Sequence, residues 1–150
     1  FCKKKKLNFL KMADLLSVPL IFALALGRVA NFINGELPGR ITKVWWCMEF
    51  PPYDGCRHPS VLYAAAKRFL VTGWLTFLSF SHLKGNFKPG FIFWNFVFWD
   101  GLGRIIVDIW REDMFFGFFT MGQWFSAIMV VVSVYFFWRN HSDDWRSFIN

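Results

Sequence analysis

Four stretches of this chain are apolar for long enough to cross a bilayer, and polar residues gather at their ends. They run from about Met12 to Phe32, Leu62 to Phe80, Phe91 to Trp110 and Met121 to Trp138. Crossing ~30 Å of hydrocarbon takes ~20 helical residues, so each stretch is predicted as one spanning helix. The fourth, through AIMVVVSVYFFW, is uninterrupted; the second holds Lys67 and Arg68 near its start, and the third holds charge in its interior. Trp110, Trp124 and Trp138 sit near segment ends, where amphipathic indoles favour the interface. One long connection, 33–61, is rich in Pro, Gly and aromatics. The expected fold is all-α: a polytopic membrane protein of about four transmembrane helices, with a long outer loop between the first and second.

Composition strengthens this. The 150 residues are 55% hydrophobic and 22% aromatic, with 21 Phe and 9 Trp, more aromatic surface than a soluble domain of this size can hide. The net charge of +7 suggests nucleic acid, but the basic residues lie outside the apolar runs and form no stripe interleaved with exposed aromatics. Nucleic acid is therefore not an expected partner. Lys3, Lys4, Lys5, Lys6, Lys11, Lys84, Lys88, Arg139 and Arg146 fall on one side of the spans; Arg40, Lys43, Arg57 and Arg111 fall on the other. The positive-inside bias puts both ends in the cytoplasm and the Arg28-to-His58 region outside. The tail HSDDWRSFIN reads as a short solvated end, and the opening FCKKKK as the middle of something longer. Cys2, Cys47 and Cys56 make no C-x-x-C pair and no metal-ligand spacing, so no metal is expected. Cys47 and Cys56 share one loop, and either pair in an oxidising compartment or stay as two thiols.

Three polar constellations remain. Residues 27–40, GRVANFINGELPGR, crowd Arg28, Asn31, Asn34, Glu36 and Arg40 at a membrane edge, between Gly27 and Gly39. Ionisable groups there are costly and mark function. Asp100, Arg104, Asp108 and Arg111 fall within about 80° of helical arc, able to pair at i,i+4 and obliged to face protein or water. An internal ion-pair ladder and a functional stripe both fit that spacing. In RHPSVLYAA, residues 57–65, Pro59 biases His58 to extended backbone and Ser60 is placed to cap the next helix. Arg57 and His58 fit interfacial anchors as well as site residues.

GRVANFINGELPGR resembles the hallmark segment of the prolipoprotein diacylglyceryl transferases. RHPSVLYAA, DGLGRIIVDIWRE (100–112) and TMGQ (120–123) resemble further blocks of that family, in the same order and across the whole chain. The family has about seven spanning helices, so the resemblance implies that residues 1–150 are the C-terminal part of one integral-membrane transferase domain, with N-terminal helices missing. The chain departs from the family at Ala30, Pro38, Val61, Ala64, Asp100 and Asp108, and has lysine near Lys3 where the family carries a His. Asp108 keeps the charge of the family's Glu.

The resemblance implies a bacterial inner-membrane enzyme that moves a diacylglyceryl group from phosphatidylglycerol to the lipobox cysteine thiol of a prolipoprotein signal peptide. A thioether forms, glycerol phosphate leaves, and no cofactor takes part. Arg28, Arg104, Glu36, Asn31 and His58 are the implied catalytic residues. Arg28, Asn31, Asn34, Gly39, Arg104, Asp108 and Arg111 are the implied substrate-binding residues. Arginine suits a lipid phosphate because its planar fork binds two oxygens and stays charged. An inactive fragment of that enzyme, and a small transporter or channel subunit using the 100–111 stripe, are the competing readings.

Overall fold

The computed structural model describes residues 8–84, 87–112, 115–116, 119–141 and 144. Cys2, the Lys3–Lys6 run and Arg146 lie outside the described residues. Four helices dominate: α1 (Phe9–Ile33), α2 (Ser60–Lys84), α3 (Phe91–Val107) and α4 (Met121–Asn140). Their ends fall within a few residues of the apolar runs. Two short antiparallel hairpins, β1 (Met48–Phe50) with β2 (Tyr53–Arg57) and β3 (Phe115–Phe116) with β4 (Phe119–Thr120), lie in the connections. Helices α1, α2 and α4 are long and apolar enough to cross a membrane. Helix α3 has 17 residues and hands over to a 3-10 turn, Asp108–Trp110. The architecture is that of an all-α polytopic membrane protein.

Helices α1 and α2 pack along each other, as do α3 and α4, and α3 also meets α1 and α2. Ile21, Val71, Leu75, Leu78, Phe91, Ile92 and Phe96 form the core. The outer surface is apolar, with Leu15, Leu70, Phe125 and Val131 exposed. Asp14, Ser17, Arg68, Asn95, Asp108, Ser126 and Ser133 are buried. This inversion is what lipid imposes: apolar surface costs little there, while polar groups need partners inside. Ser17, Ser126 and Ser133 donate to carbonyls four residues back. Gly101 lets α4 approach closely, since a Cβ there would stand 3.2 Å from the Ser126 carbonyl.

The ends of α3 and α4 are fixed by specific caps. Gly90 precedes α3 in left-handed backbone and has no side chain to cap with. Asp14 of α1 does this instead, accepting from the Gly90 and Phe93 amides at 2.6 and 2.8 Å. Its carboxylate thus sits at the positive end of the helix dipole. Thr120 and Gln123 form a reciprocal capping box at the start of α4. Ser60 opens α2, but its hydroxyl donates to the Leu37 carbonyl at 3.1 Å instead of capping its own helix.

Cys47 and Cys56 are joined in a disulfide, their Cα atoms 5.5 Å apart across the first hairpin. Gly39 and Ile41 make isolated antiparallel bridges to Arg111 and Arg57. Gly39 N–H donates to His58 O, His58 N–H donates to Arg40 O, and Arg40 N–H donates to Trp110 O. The long loop is thereby stitched to the turn that follows α3.

Candidate functional site

The stitched loop closes one end of the bundle, where the C-terminal ends of α1 and α3 meet the N-terminal end of α2. Arg28 of α1, Ala64, Lys67 and Arg68 of α2, and Arg104, Val107, Asp108 and Arg111 at the end of α3 line one narrow cleft. The free space left within it is about 10 Å³, room for about one water molecule, so the side chains nearly fill it.

The stripe on α3 divides its charges between two neighbours. Asp108 is buried and meets Arg104 Nε at 3.7 Å and Arg111 Nη1 at 3.9 Å, as the spacing anticipated. It also accepts from the Thr120 hydroxyl at 3.4 Å. Asp100 turns to α2, accepting from Lys67 Nζ at 2.5 Å and Arg68 Nε at 3.2 Å. That cross-helix pairing gives a physical reason for Asp100 where the family resemblance expects Tyr: it balances the Lys67–Arg68 pair. Gly103 lets the Lys67 stem lie flat on α3, since any Cβ there would collide with it. Gly122 likewise leaves room for Arg104 and Asp108, its missing Cβ lying 2.7 Å from Arg104 Nη2 and 2.9 Å from Asp108 Oδ2. Three of the four residues of the TMGQ block thus have a role: Thr120 and Gln123 cap α4, and Gly122 makes space for the ion pair.

Among the described residues, five cations here face two carboxylates. Among the described residues no group stands within hydrogen-bonding distance of the Arg28 guanidinium. It shares the cleft with four other cations and Asp108. Such an arrangement suits a phosphate.

Of the sequence-derived site residues, the cleft gathers Arg28, Arg104, Asp108 and Arg111. Asn34 and Glu36 lie on the exposed turn beyond α1, 3.4 Å apart from Asn34 Nδ2 to Glu36 Oε1. Asn31, half-buried on the last turn of α1, accepts the Glu36 amide at its carbonyl. Gly39 sits between two backbones, where a Cβ would stand 2.5 Å from Trp110 O and 2.7 Å from His58 O. Its visible role is to let the loop close. Arg57 pins the same junction, bonding the Asp54 and Gly39 carbonyls and pairing with Glu112. His58 lines a separate apolar groove of about 500 Å³ with Trp46, Tyr63, Ala66, Leu70, Ile106 and Trp110. Lys67 and Val107 are shared by groove and cleft. Sequence reasoning missed Lys67 and Arg68 as site residues. The signal was two adjacent cations within an apolar helix, where charge needs a partner.

The family model of prolipoprotein diacylglyceryl transferase matches residues 1–139. The chain belongs to that family. It is 43% identical over 144 residues to the phosphatidylglycerol–prolipoprotein diacylglyceryl transferase of Rickettsia rickettsii (strain Sheila Smith), covering 90% of this chain and 54% of the relative. The enzyme of the same name from Ehrlichia ruminantium (strain Gardel) is 37% identical over 142 residues, covering 89% and 55%. The chain therefore spans about half the length of the curated relatives it matches. Membership sets the transporter reading of the 100–111 stripe behind the transferase one.

Proposed function

We propose that this chain supplies the phosphate-binding site of a membrane transferase that moves the diacylglyceryl group of phosphatidylglycerol to the lipobox cysteine thiol of a prolipoprotein. The observation that carries this is Arg28, unpaired among the described residues and sharing one cleft with Lys67, Arg68, Arg104 and Arg111. The thiolate attacks the glyceryl carbon, a C–S bond forms, and the C–O bond to phosphate breaks. Glycerol phosphate leaves with the bonding pair. Arg28 holds the lipid phosphate once the cationic side chains part to admit it, since the closed cleft has room for about one water; Arg104, steadied by Asp108, stabilises the charge that grows on the departing group. Arg111 adds to the field, while Gly39 keeps the backbone beside it closed. Asn31 and Asn34 orient the head group, and Glu36 orients an arginine or serves as the thiol's base.

The site lies at the outer face of a bacterial inner membrane, with the described helix ends at Phe9 and Asn140 toward the cytoplasm. The Cys47–Cys56 disulfide supports that orientation, because such bonds persist in oxidising compartments. Relatives of about twice this length support a larger whole, to which these 150 residues contribute one part. Replacing Arg28 or Arg104 by Ala in the intact protein is expected to abolish thioether formation on a prolipoprotein in phosphatidylglycerol vesicles, with membrane insertion unchanged. Full transfer by either variant overturns that residue's assignment.

A further inference from the structure

The groove beside the cation cleft contains a hydrogen-bonded chain of three aromatic side chains. Trp46 Nε1 donates to the Tyr63 hydroxyl at 2.7 Å, and that hydroxyl lies 3.2 Å from His58 Nδ1. The His58 and Tyr63 rings meet edge-on with centroids 6.1 Å apart, and Tyr63 meets Trp110 in the same way at 5.8 Å. One proton position follows from the chemistry of the partners. An indole N–H only donates, so the phenol oxygen accepts from Trp46. His58 Nδ1, at 3.2 Å, takes the phenol's own proton in one of the ring's two neutral tautomers. A neutral imidazole that accepts at Nδ1 carries its proton on Nε2.

Both ends of this chain are held by the outer loop. Trp46 adjoins Cys47, and His58 stands two residues after Cys56, its partner in the disulfide. The His58 backbone is pinned in turn by Gly39 and Arg40. The loop therefore holds both outer members of the chain against Tyr63 of α2.

We propose that Trp46 and Tyr63 are positioning residues that hold His58 as its Nε2–H tautomer, so that His58 meets the substrate as a hydrogen-bond donor and not as the base for the thiol proton. This rests on the transfer reading above. With Nδ1 engaged and Nε2 protonated, neutral His58 has no lone pair to offer a thiol. Its Nε2–H is instead suited to an oxygen of the phosphate whose charge rises as the C–O bond breaks. The groove it lines shares Lys67 with the cleft, which brings such an oxygen and His58 to one neighbourhood.

The test is imidazole ¹⁵N spectroscopy of the intact protein, labelled at histidine, in phosphatidylglycerol bilayers, with the His58 signals assigned by their loss in His58→Gln. The protonated nitrogen is expected to show couplings to both ring protons, which identifies it as Nε2. Tyr63→Phe is expected to shift His58 toward a tautomer mixture. A protonated Nδ1 in the unmodified protein, or a tautomer indifferent to Tyr63→Phe, overturns the proposal. In the transfer assay His58→Asn is expected to fall on the order of 10²-fold, as for a lost preorganised donor. His58→Gln, whose amide N–H stands near the position of Nε2–H, is expected to keep about tenfold more activity than His58→Asn. Equal activity in the two variants overturns the donor role. A protonated Nδ1 leaves the Arg28 and Arg104 assignments standing, whereas full transfer by Arg28→Ala removes the transfer reading whatever the tautomer.

Discussion

Gly122→Ala separates the site from the fold that carries it. The added Cβ would stand 2.7 Å from Arg104 Nη2, 2.9 Å from Asp108 Oδ2 and 3.0 Å from Arg104 Nε, where ordinary contact begins at 3.4 Å. Asp108 is 2% exposed and held by Thr120, so it has little room to yield. Arg104 is the end of a long, one-third exposed side chain and yields instead. Its Nη2 must retreat by about 0.7 Å, the difference between 3.4 and 2.7 Å. A misplacement of that order costs roughly ten- to a hundredfold in rate when it falls on a group aimed at the transition state. The helix itself gains, because alanine is better than glycine in a helix by up to about 1 kcal/mol. The expected result is a transfer rate down by roughly one to two powers of ten, with a thermal midpoint equal to or above that of the unmodified protein. Rates in phosphatidylglycerol vesicles and unfolding of the same preparation measure both. An unchanged rate refutes the argument that Arg104 must stay where it is. A lowered midpoint that accompanies the loss of activity refutes the separation of site from fold.

Three further outcomes follow from other parts of the structure. Gly39→Ala meets backbone on both sides, not movable side-chain tips, so it is expected to destabilise the outer loop by about 1–3 kcal/mol, seen as faster proteolysis between 40 and 58. Asp14→Ala removes the cap of α3 and is expected to cost about 0.5–2 kcal/mol, with amide exchange at Gly90 and Phe93 accelerated before the rest of the helix. Serine at both Cys47 and Cys56 opens a loop of nine-residue separation, worth about 2–3 kcal/mol. The double variant should melt at the temperature of the reduced protein, and a melting point equal to that of the oxidised protein would discount the bridge.

The spans were legible because a bilayer demands long apolar runs, and only helices satisfy their backbone within one. The pairing of Arg104 and Arg111 with Asp108 was legible because i,i+4 and i,i+3 neighbours belong to a single helix. Asp100 was not, although it has the same spacing. Its partners Lys67 and Arg68 come from α2, and helical period says nothing about which neighbour a face will meet. The same limit hid Asp14, a lone acid in an apolar run whose purpose appears only when α3 is packed beside it. The Thr120–Gln123 box follows a spacing readable in advance, yet its neighbours also serve the ion pair behind them. Backbone pairing of 39–42 to both His58 and Trp110 lay beyond a loop known only for its prolines and glycines.

The near-filled cleft bears on how the protein meets its membrane. Two like charges 4 Å apart repel by about 4 kcal/mol at the effective dielectric of a protein surface, and among the described residues cations outnumber carboxylates in this space. An anion that enters relieves that repulsion, and whatever binds the folded form alone also stabilises it by mass action. If phosphatidylglycerol is the occupant, the lipid acts as a structural tenant before it acts as a reactant. A bilayer depleted of anionic lipid then starves the enzyme and slackens it together, and detergent that strips such lipid leaves a protein easier to unfold than the one that was extracted.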